Sequence, residues 1–593
     1  MNERQTGDGV VDEIAYTFGY CDELDPLRLA LPLLRAGLAA PAVQSACELG
    51  FGYGVSVNIH AAGSGASWYG TDFNAAHAGF AQSLAREAGS RAVLSGERFA
   101  DFCRREDLPE FDFIGMHGIW SWVSDENRAW LAGFLHRKLK PGGVLYLSYN
   151  TQPGWAAMLP VRELMMGHFQ AGAMRPEAGG SDASGAERVR RRVRAAVEFA
   201  REVFAARPGY AVVNPMLAER VEALSREDTQ YLAHEYFSPD WQAMSFRQVA
   251  APLAAAGLVY GGSADYRDHF DEINLDAAQR ALLARIVDPV QRETARDLCM
   301  NRSLRRDYWI KAPRRLDPAE RDAALRAQPV VLALPREAVA LKVRGALGEA
   351  MLPAALYGPI LDVLADHRPA TLGELEQRVR AHGITLAQLA GAVMLLVGTG
   401  ALLNAQDEAR IEAARPAADR LNAALCEQAL ERDAVPCLAS PVSGSGIRVP
   451  RAAQLFLLAR RRGMVGPREW GSSRRPRSRQ ASRSRARCWP SASRRPNASR
   501  GFICRCCWRW GSVEAGAARR ALGAAGARRH RYAAVAIWID EIGICGGVGR
   551  RYSRLLLIVM PLARPASCPP SSSLPLHPPR PRPARRARRS RRS

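Results

Sequence analysis

Residues 46 to 54 read ACELGFGYG, and Asp72 follows 18 residues after the last of these glycines. The apolar run Val43 to Leu49 ends in Gly50, Gly52 and Gly54, and a small-apolar segment continues through Val55, Val57 and Ile59. This pattern predicts a strand, a glycine turn and a helix start. Glycine suits such a turn because it adopts positive φ and has no Cβ to keep a ligand from the backbone. The next strand candidate, Ser67 to Thr71, delivers Asp72 at its end, where a carboxylate can accept both hydroxyls of a ribose. The expectation is a nucleoside-containing cofactor.

The spacing E-x-G-x-G-x-G differs from the G-x-G-x-x-G of dinucleotide sites, where a pyrophosphate rests on a helix N-terminus. Glu48 would repel a pyrophosphate but suits a sulfonium and an amino-acid ammonium. The stretch resembles motif I of the class I S-adenosylmethionine-dependent methyltransferases. The resemblance implies a Rossmann-like, doubly wound α/β sheet and S-adenosyl-L-methionine as cofactor. It places Glu48, Gly50, Gly52, Gly54 and Asp72 around that cofactor. It also calls for a carboxylate after the third strand to accept from the adenine amino group, and Asp101, followed by Phe102, is assigned there in preference to Glu97.

Composition bounds the alternatives. The net charge of +23 suggests a nucleic-acid partner, but residues 466–593 hold 30 Arg against 4 acidic residues. Residues 1–465 then carry 52 basic and 55 acidic groups, so the body is nearly neutral and nothing in it calls for a polyanion. The start, MNERQTGDGVVDE, lacks the basic and apolar regions of a signal peptide, and no apolar run approaches a membrane span. A cytoplasmic protein is expected. Six body cysteines (Cys21, Cys47, Cys103, Cys299, Cys426, Cys437) have no metal-ligand spacing and are expected reduced; no metal site is assigned, and Cys504, Cys506 and Cys507 match no common zinc pattern.

Along the chain, Asp25 and Pro26 predict a helix start, with Tyr16, Phe18 and Tyr20 ahead of it near the cofactor mouth. Ala75 to Ala88 reads as an amphipathic helix, Arg91 to Leu94 and Phe111 to Met116 as strands. Asn127 to Leu139 reads as a helix broken by the PGG at 141–143, and Val144 to Tyr149 as the fifth strand. HGIWSWV (117–123), SYNTQPGW (148–155), YTFGY with DPLRL, and LAHEYF (232–237) resemble bacterial methyltransferases with a methyltransferase regulatory domain, a group that includes protein-lysine methyltransferases acting on outer-membrane proteins.

The expected domains are a cofactor-binding core (1–155) and a helical insertion with regulatory region carrying the last two strands, near 258–261 and 305–311 (156–315). A helical winged-helix-like domain (316–465) follows, and then a disordered Arg/Pro-rich tail (466–593) that is either a basic arm or an out-of-frame translation. His117, Trp120, Tyr149 and Asn150, with Trp122 and Trp155, follow strands four and five and are expected to line the acceptor pocket. An acceptor lysine must lose a proton, since its ordinary pKa near 10.4 keeps it charged, and aromatic faces with desolvation favour that. Core burial explains Trp120 and Trp122 equally well. The expected activity is methyl transfer to protein lysine. A small-molecule acceptor is one alternative, and a non-enzymatic nucleic-acid-binding or regulatory protein using the basic tail is another. A homodimer is allowed.

Overall fold

The structure, a computed structural model, describes residues 18–174, 185–431, 435–464, 532–539 and 554–561. Its centre is a seven-stranded sheet: β1 Ser45–Leu49, β2 Ser67–Thr71, β3 Val93–Ser95, β4 Phe111–Met116, β5 Leu139–Asn150, β6 Leu258–Ser263 and β7 Leu304–Lys311. The order is β3-β2-β1-β4-β5-β7-β6, with β7 antiparallel to both neighbours and the rest of the core parallel. Helices cover both faces, so the central strands are buried and read as continuous apolar runs. The last two strands of the sheet do follow the helical insertion. The PGG at 141–143 does not end a helix ahead of a separate strand; it lies inside β5, where the pairing with β4 shifts register between Phe111 and Phe113.

Local chemistry fixes the elements that frame the crevice. Asn74 caps the helix Ala75–Ala88 by accepting from the Ala76 and His77 N–H groups, and Gly89 closes it in the left-handed region. Asp25 accepts from the Leu27 N–H at 2.9 Å and starts the turn Pro26–Leu29 that runs into the helix Ala30–Arg35. The switch of strand order between β1 and β4 opens a crevice at their carboxyl ends, the ligand position of a doubly wound sheet.

Between β5 and β6, helices Leu159–Met174, Gly185–Ala205, Met216–Leu224 and Thr229–Tyr236 build their own apolar cluster around Trp155, Tyr236, Phe237 and Trp241. Beyond β7, the stretch 316–465 divides in two. Residues 318–404 form one core from helices Pro318–Arg326, Ala354–Val363, Leu372–Val379 and Leu386–Gly398, with a three-stranded sheet of Ala370–Thr371, Pro329–Leu332 and Leu402–Asn404. The helix Glu408–Gln428 and the hairpin Cys437–Ser440/Ser445–Arg448 instead fold back on helices Val55–Ser64 and Ala75–Ala88. In 466–593, where a structureless tail is expected, the strands Tyr532–Ile539 and Arg554–Pro561 pair antiparallel; the rest of that stretch, with Cys504, Cys506 and Cys507, lies outside the described residues, as does Tyr16.

Candidate active site

Gly50, Gly52 and Gly54 all have positive φ, at 75°, 57° and 66°. A Cβ on Gly50 would stand 2.2 Å from Ile119 Cδ1, and one on Gly54 would stand 2.4 Å from the Ala81 Cβ. The turn is therefore pressed between the loop after β4 and the helix that follows β2. Its backbone is already tied down: the Gly50 N–H donates to the Thr71 carbonyl and the Gly52 N–H to Asp72 Oδ2, both at 2.8 Å. Asp72 Oδ1 accepts from the Asn74 N–H at 3.0 Å and lies 3.3 Å from His77 Nδ1. A carboxylate has about four acceptor directions, so Asp72 holds the turn and keeps one on Oδ2 for a ligand hydroxyl.

Glu48, one residue before the end of β1, is almost fully buried, and its Oε2 has no hydrogen-bond partner among the described residues. Burial pushes its pKa up to about 8, with the Asp72 charge adding to the effect. A buried, unsatisfied carboxyl beside a positive-φ glycine turn fits a ligand that carries an ammonium group. Phe18 stacks on Tyr53 of the turn with ring centroids 4.0 Å apart, and Phe80 meets both rings edge-on. Tyr20 lies with its hydroxyl 3.0 Å from His60 Nε2 and accepts from the Gly446 N–H at 2.6 Å.

Asp101 sits near the end of the short helix Phe99–Phe102 with its carboxylate largely exposed, 3.7 Å from the Arg104 guanidinium. Glu97 is nearer the crevice strands: its carbonyl accepts from the Thr71 hydroxyl at 2.6 Å, and its carboxylate from Arg105 at 3.1 Å. The acidic residue directly after β3 is thus Glu97, and Phe102, the ring next to Asp101, is buried in the core.

The loop from His117 to Trp122 carries the second half of the site. His117 is an exposed residue that turns its Nδ1 inward, 2.9 Å from the Tyr146 hydroxyl and 3.0 Å from Cys21 Sγ. Desolvation of the ring where it meets Cys21 and Tyr146 holds its pKa below the usual imidazole range, opposed by Glu23 and assisted by Arg306. The Cys21 thiol donates to Glu23 Oε2 at 3.1 Å, and His117 Nδ1 faces Cys21, Tyr146 and, at 3.4 Å, the Ser148 hydroxyl. Burial alone would raise the Glu23 pKa, but Arg306, 3.3 Å away, with His117 and Arg28, takes it down to about 2. Cys21, Glu23, Tyr146 and Arg306 are functional candidates that the sequence reading did not single out; the signal was the CDEL that follows the aromatic segment.

Trp120 and Tyr149 are drawn into the core rather than the crevice. Trp120 is fully buried among the residues under β4 and β5. Tyr149 alternates with Leu147 and Leu145 on the same face, and its hydroxyl donates to Asp307 Oδ2 at 3.0 Å within the Arg305 ion network. The period of two along β5 puts Asn150 and Ser148 on the opposite face. Ser148 accepts from the Gly118 N–H at 2.8 Å and the Asn150 N–H donates to Ser121 at 2.9 Å, so both brace the 117–122 loop. Trp122 leaves that loop for the helical insertion, donating from Nε1 to the His234 carbonyl at 3.3 Å, and Trp155 packs there with Tyr236 and Trp241.

The family model described as "Predicted methyltransferase regulatory domain" matches residues 228–311. Protein sll1526 of Synechocystis is 37% identical over 465 residues, a match covering 78% of this chain and 89% of that protein. Among solved structures, PKMT2 from Rickettsia typhi in complex with AdoHcy superposes with TM-score 0.57 at 18% identity, covering 80% of this chain and 95% of that one. A second structure of PKMT2 gives TM-score 0.53 at 19% identity, covering 73% and 86%. The likeness to PKMT2 agrees with the Rossmann-like sheet. The chain belongs to the class I S-adenosylmethionine-dependent methyltransferases that carry a methyltransferase regulatory domain, a family it shares with the Synechocystis protein.

Proposed function

We propose that this protein transfers a methyl group from S-adenosylmethionine to lysine side chains of protein acceptors. The observation that carries the reading is the unpartnered, buried Glu48 carboxyl beside a turn of three positive-φ glycines. When bound, S-adenosylmethionine supplies a methyl carbon on a positively charged sulfur. The chain's part is to bind, orient and keep water away. Glu48 would take the ammonium of the amino-acid end, Asp72 a ribose hydroxyl, and Glu97, rather than the exposed Asp101, the adenine amino group. His117, neutral and held through Nδ1, would present its Nε2 side from the loop next to the glycine turn.

Lysine as acceptor is supported by the HGIWSWV, SYNTQPGW and LAHEYF motifs, and by the fold shared with PKMT2, which at 18–19% identity speaks to architecture. The six described cysteines outside the tail are free, as a reducing cytoplasm would keep them. Among the described residues, no single helix is long and apolar enough to cross a membrane. The 318–404 body, with three helices leading into a strand, has the rhythm of a winged helix; in a near-neutral body we assign it to protein docking or dimerisation rather than DNA.

The test is incubation of the full chain with methyl-labelled S-adenosylmethionine and a cell extract, followed by separation of proteins, nucleic acids and small molecules. Label on discrete protein bands, mapped to lysine, is expected. Label confined to small molecules would move the acceptor, and no label with no cofactor binding would overturn the reading.

A further inference from the structure

The LAHEYF segment brings a carboxylate to the sheet from outside it. Glu235 lies on the helix Thr229–Tyr236, within the stretch matched as regulatory domain, and is partly buried against the carboxyl end of β5. The Asn150 amide faces it there. Asn150 is 4% exposed; its Nδ2 faces the Glu235 carboxylate in a contact looser than a full hydrogen bond and has no other partner among the described residues. A buried amide N–H held so loosely can take a further polar group beside the carboxylate.

The same loop joins this spot to the cofactor turn. Ile119 stands where a Cβ on Gly50 would go; two residues on, Ser121 receives the Asn150 N–H, and Trp122 donates to the carbonyl of His234, next to Glu235. One short loop therefore touches the glycine turn at one end and the Glu235 helix at the other. Beside the Glu235 helix, Trp155, Tyr236 and Trp241 pack together in the core of the helical insertion.

We propose that Glu235, with Asn150, receives the acceptor amine and takes its proton, so that the regulatory region completes the active site. This rests on the amine-acceptor reading above. In the step, one N–H bond of the acceptor ammonium breaks and an O–H bond forms on Glu235. The nitrogen keeps the electron pair and is free to attack, and methylation returns its positive charge. The proton on Glu235 then leaves to solvent. No other co-reactant is needed.

The charged neighbours set the carboxylate for this task. Burial raises the pKa of Glu235, Asn150 on β5, Arg220 on the helix Met216–Leu224 and Arg162 on the helix Leu159–Met174 pull it back, and the balance lies at about 7; Tyr236 shares the field of Glu235 and Arg220. Both guanidiniums lie over indole rings, Arg220 over Trp155 at 4.9 Å and Arg162 over Trp241 at 4.6 Å. Placed so, they offset part of the burial and leave the carboxylate about half ionised near neutral pH. A general base works best when its pKa lies near the working pH.

The test compares the full-length wild type with Glu235→Gln, which keeps the shape, and Glu235→Asp, which keeps the charge. Saturation-transfer NMR with n-butylammonium chloride, without cofactor, is expected to show contact in the wild type and in Glu235→Asp, and none in Glu235→Gln. Methyl transfer to extract proteins should fall on the order of 100-fold at pH 7 in Glu235→Gln. The wild-type rate should flatten above about pH 7 to 8, whereas the Gln variant should keep rising toward the lysine pKa near 10.4. S-adenosylhomocysteine affinity, by calorimetry, should be the same in all three. Equal amine contact and equal pH profiles in wild type and Glu235→Gln would overturn the assignment of Glu235 while leaving the methyltransferase reading in place. Failure of all three to bind S-adenosylhomocysteine would overturn that reading instead, with the amine contact still deciding Glu235.

Discussion

The Gly52 N–H donates to the Asp72 carboxylate at 2.8 Å, so the turn after β1 and the end of β2 are tied together by the residue assigned to the ribose. Asp72→Ala removes a ligand contact and a loop anchor in one change. Removing a bond to a charged group and leaving its donor unsatisfied costs roughly 1.5–3 kcal/mol. Calorimetry with S-adenosylhomocysteine is expected to show a loss of ten-fold or more in affinity, and thermal unfolding a lowered midpoint. Unchanged affinity would remove Asp72 from the site.

Glu48 makes a prediction about protons. Its folded pKa of about 8 lies above the ordinary carboxylate value, so between about pH 4.5 and 8 the folded state binds more protons than the unfolded state. The ligand-free protein should therefore lose stability as pH rises through that window, and Glu48→Gln should flatten the dependence. If a ligand ammonium pairs with Glu48, the carboxyl must ionise on binding. At pH 7 that releases about 0.9 proton per site to the buffer. Titration of S-adenosylhomocysteine in buffers of different ionisation enthalpy measures this number, and zero would refute the pairing.

Gly50 offers a steric test. Alanine there meets Ile119 Cδ1 at 2.2 Å and must hold φ near 75°. Left-handed strain and overpacking together should destabilise the fold by about 2–4 kcal/mol. Denaturant unfolding should show this drop, and pairing the change with Ile119→Ala should recover only the steric part.

Tyr20→Phe is expected to cost about 1–3 kcal/mol, since it takes away the acceptor of the Gly446 N–H and the neighbour of the buried His60. The measurement is again chemical unfolding. A value within a few tenths of wild type would mean the hairpin is held by its apolar contacts alone.

The cofactor half of the site was legible because it depends on local rules. A strand that must turn sharply needs glycines at fixed spacing, and the carboxylates at Glu48 and Asp72 lie close by in sequence. The acceptor half was not, because side chains alternate between two buried faces along β5: Tyr149 and Asn150 are adjacent in sequence and face opposite ways, one into the Asp307 network and the other toward Glu235. Nothing local distinguishes a tryptophan that plugs a core, as Trp120 does, from one that reaches a neighbouring unit, as Trp122 does. Glu97 and Asp101 differ only in how far the turn after β3 carries each from the strand end. The return of residues 408–464 to the cofactor-binding helices has no sequence signal at all, since it joins segments more than 300 positions apart.

That return also sets an order of manufacture. Gly446 meets Tyr20 across 426 positions, and Gln406 donates to the Gly63 carbonyl across 343. A chain still on the ribosome has the glycine turn long before it has the hairpin that steadies the segment beside it. Contacts of such separation form late. The apolar faces of helices Val55–Ser64 and Ala75–Ala88 stay uncovered until the last part of the body emerges, and that interval is when a nascent chain most needs a chaperone.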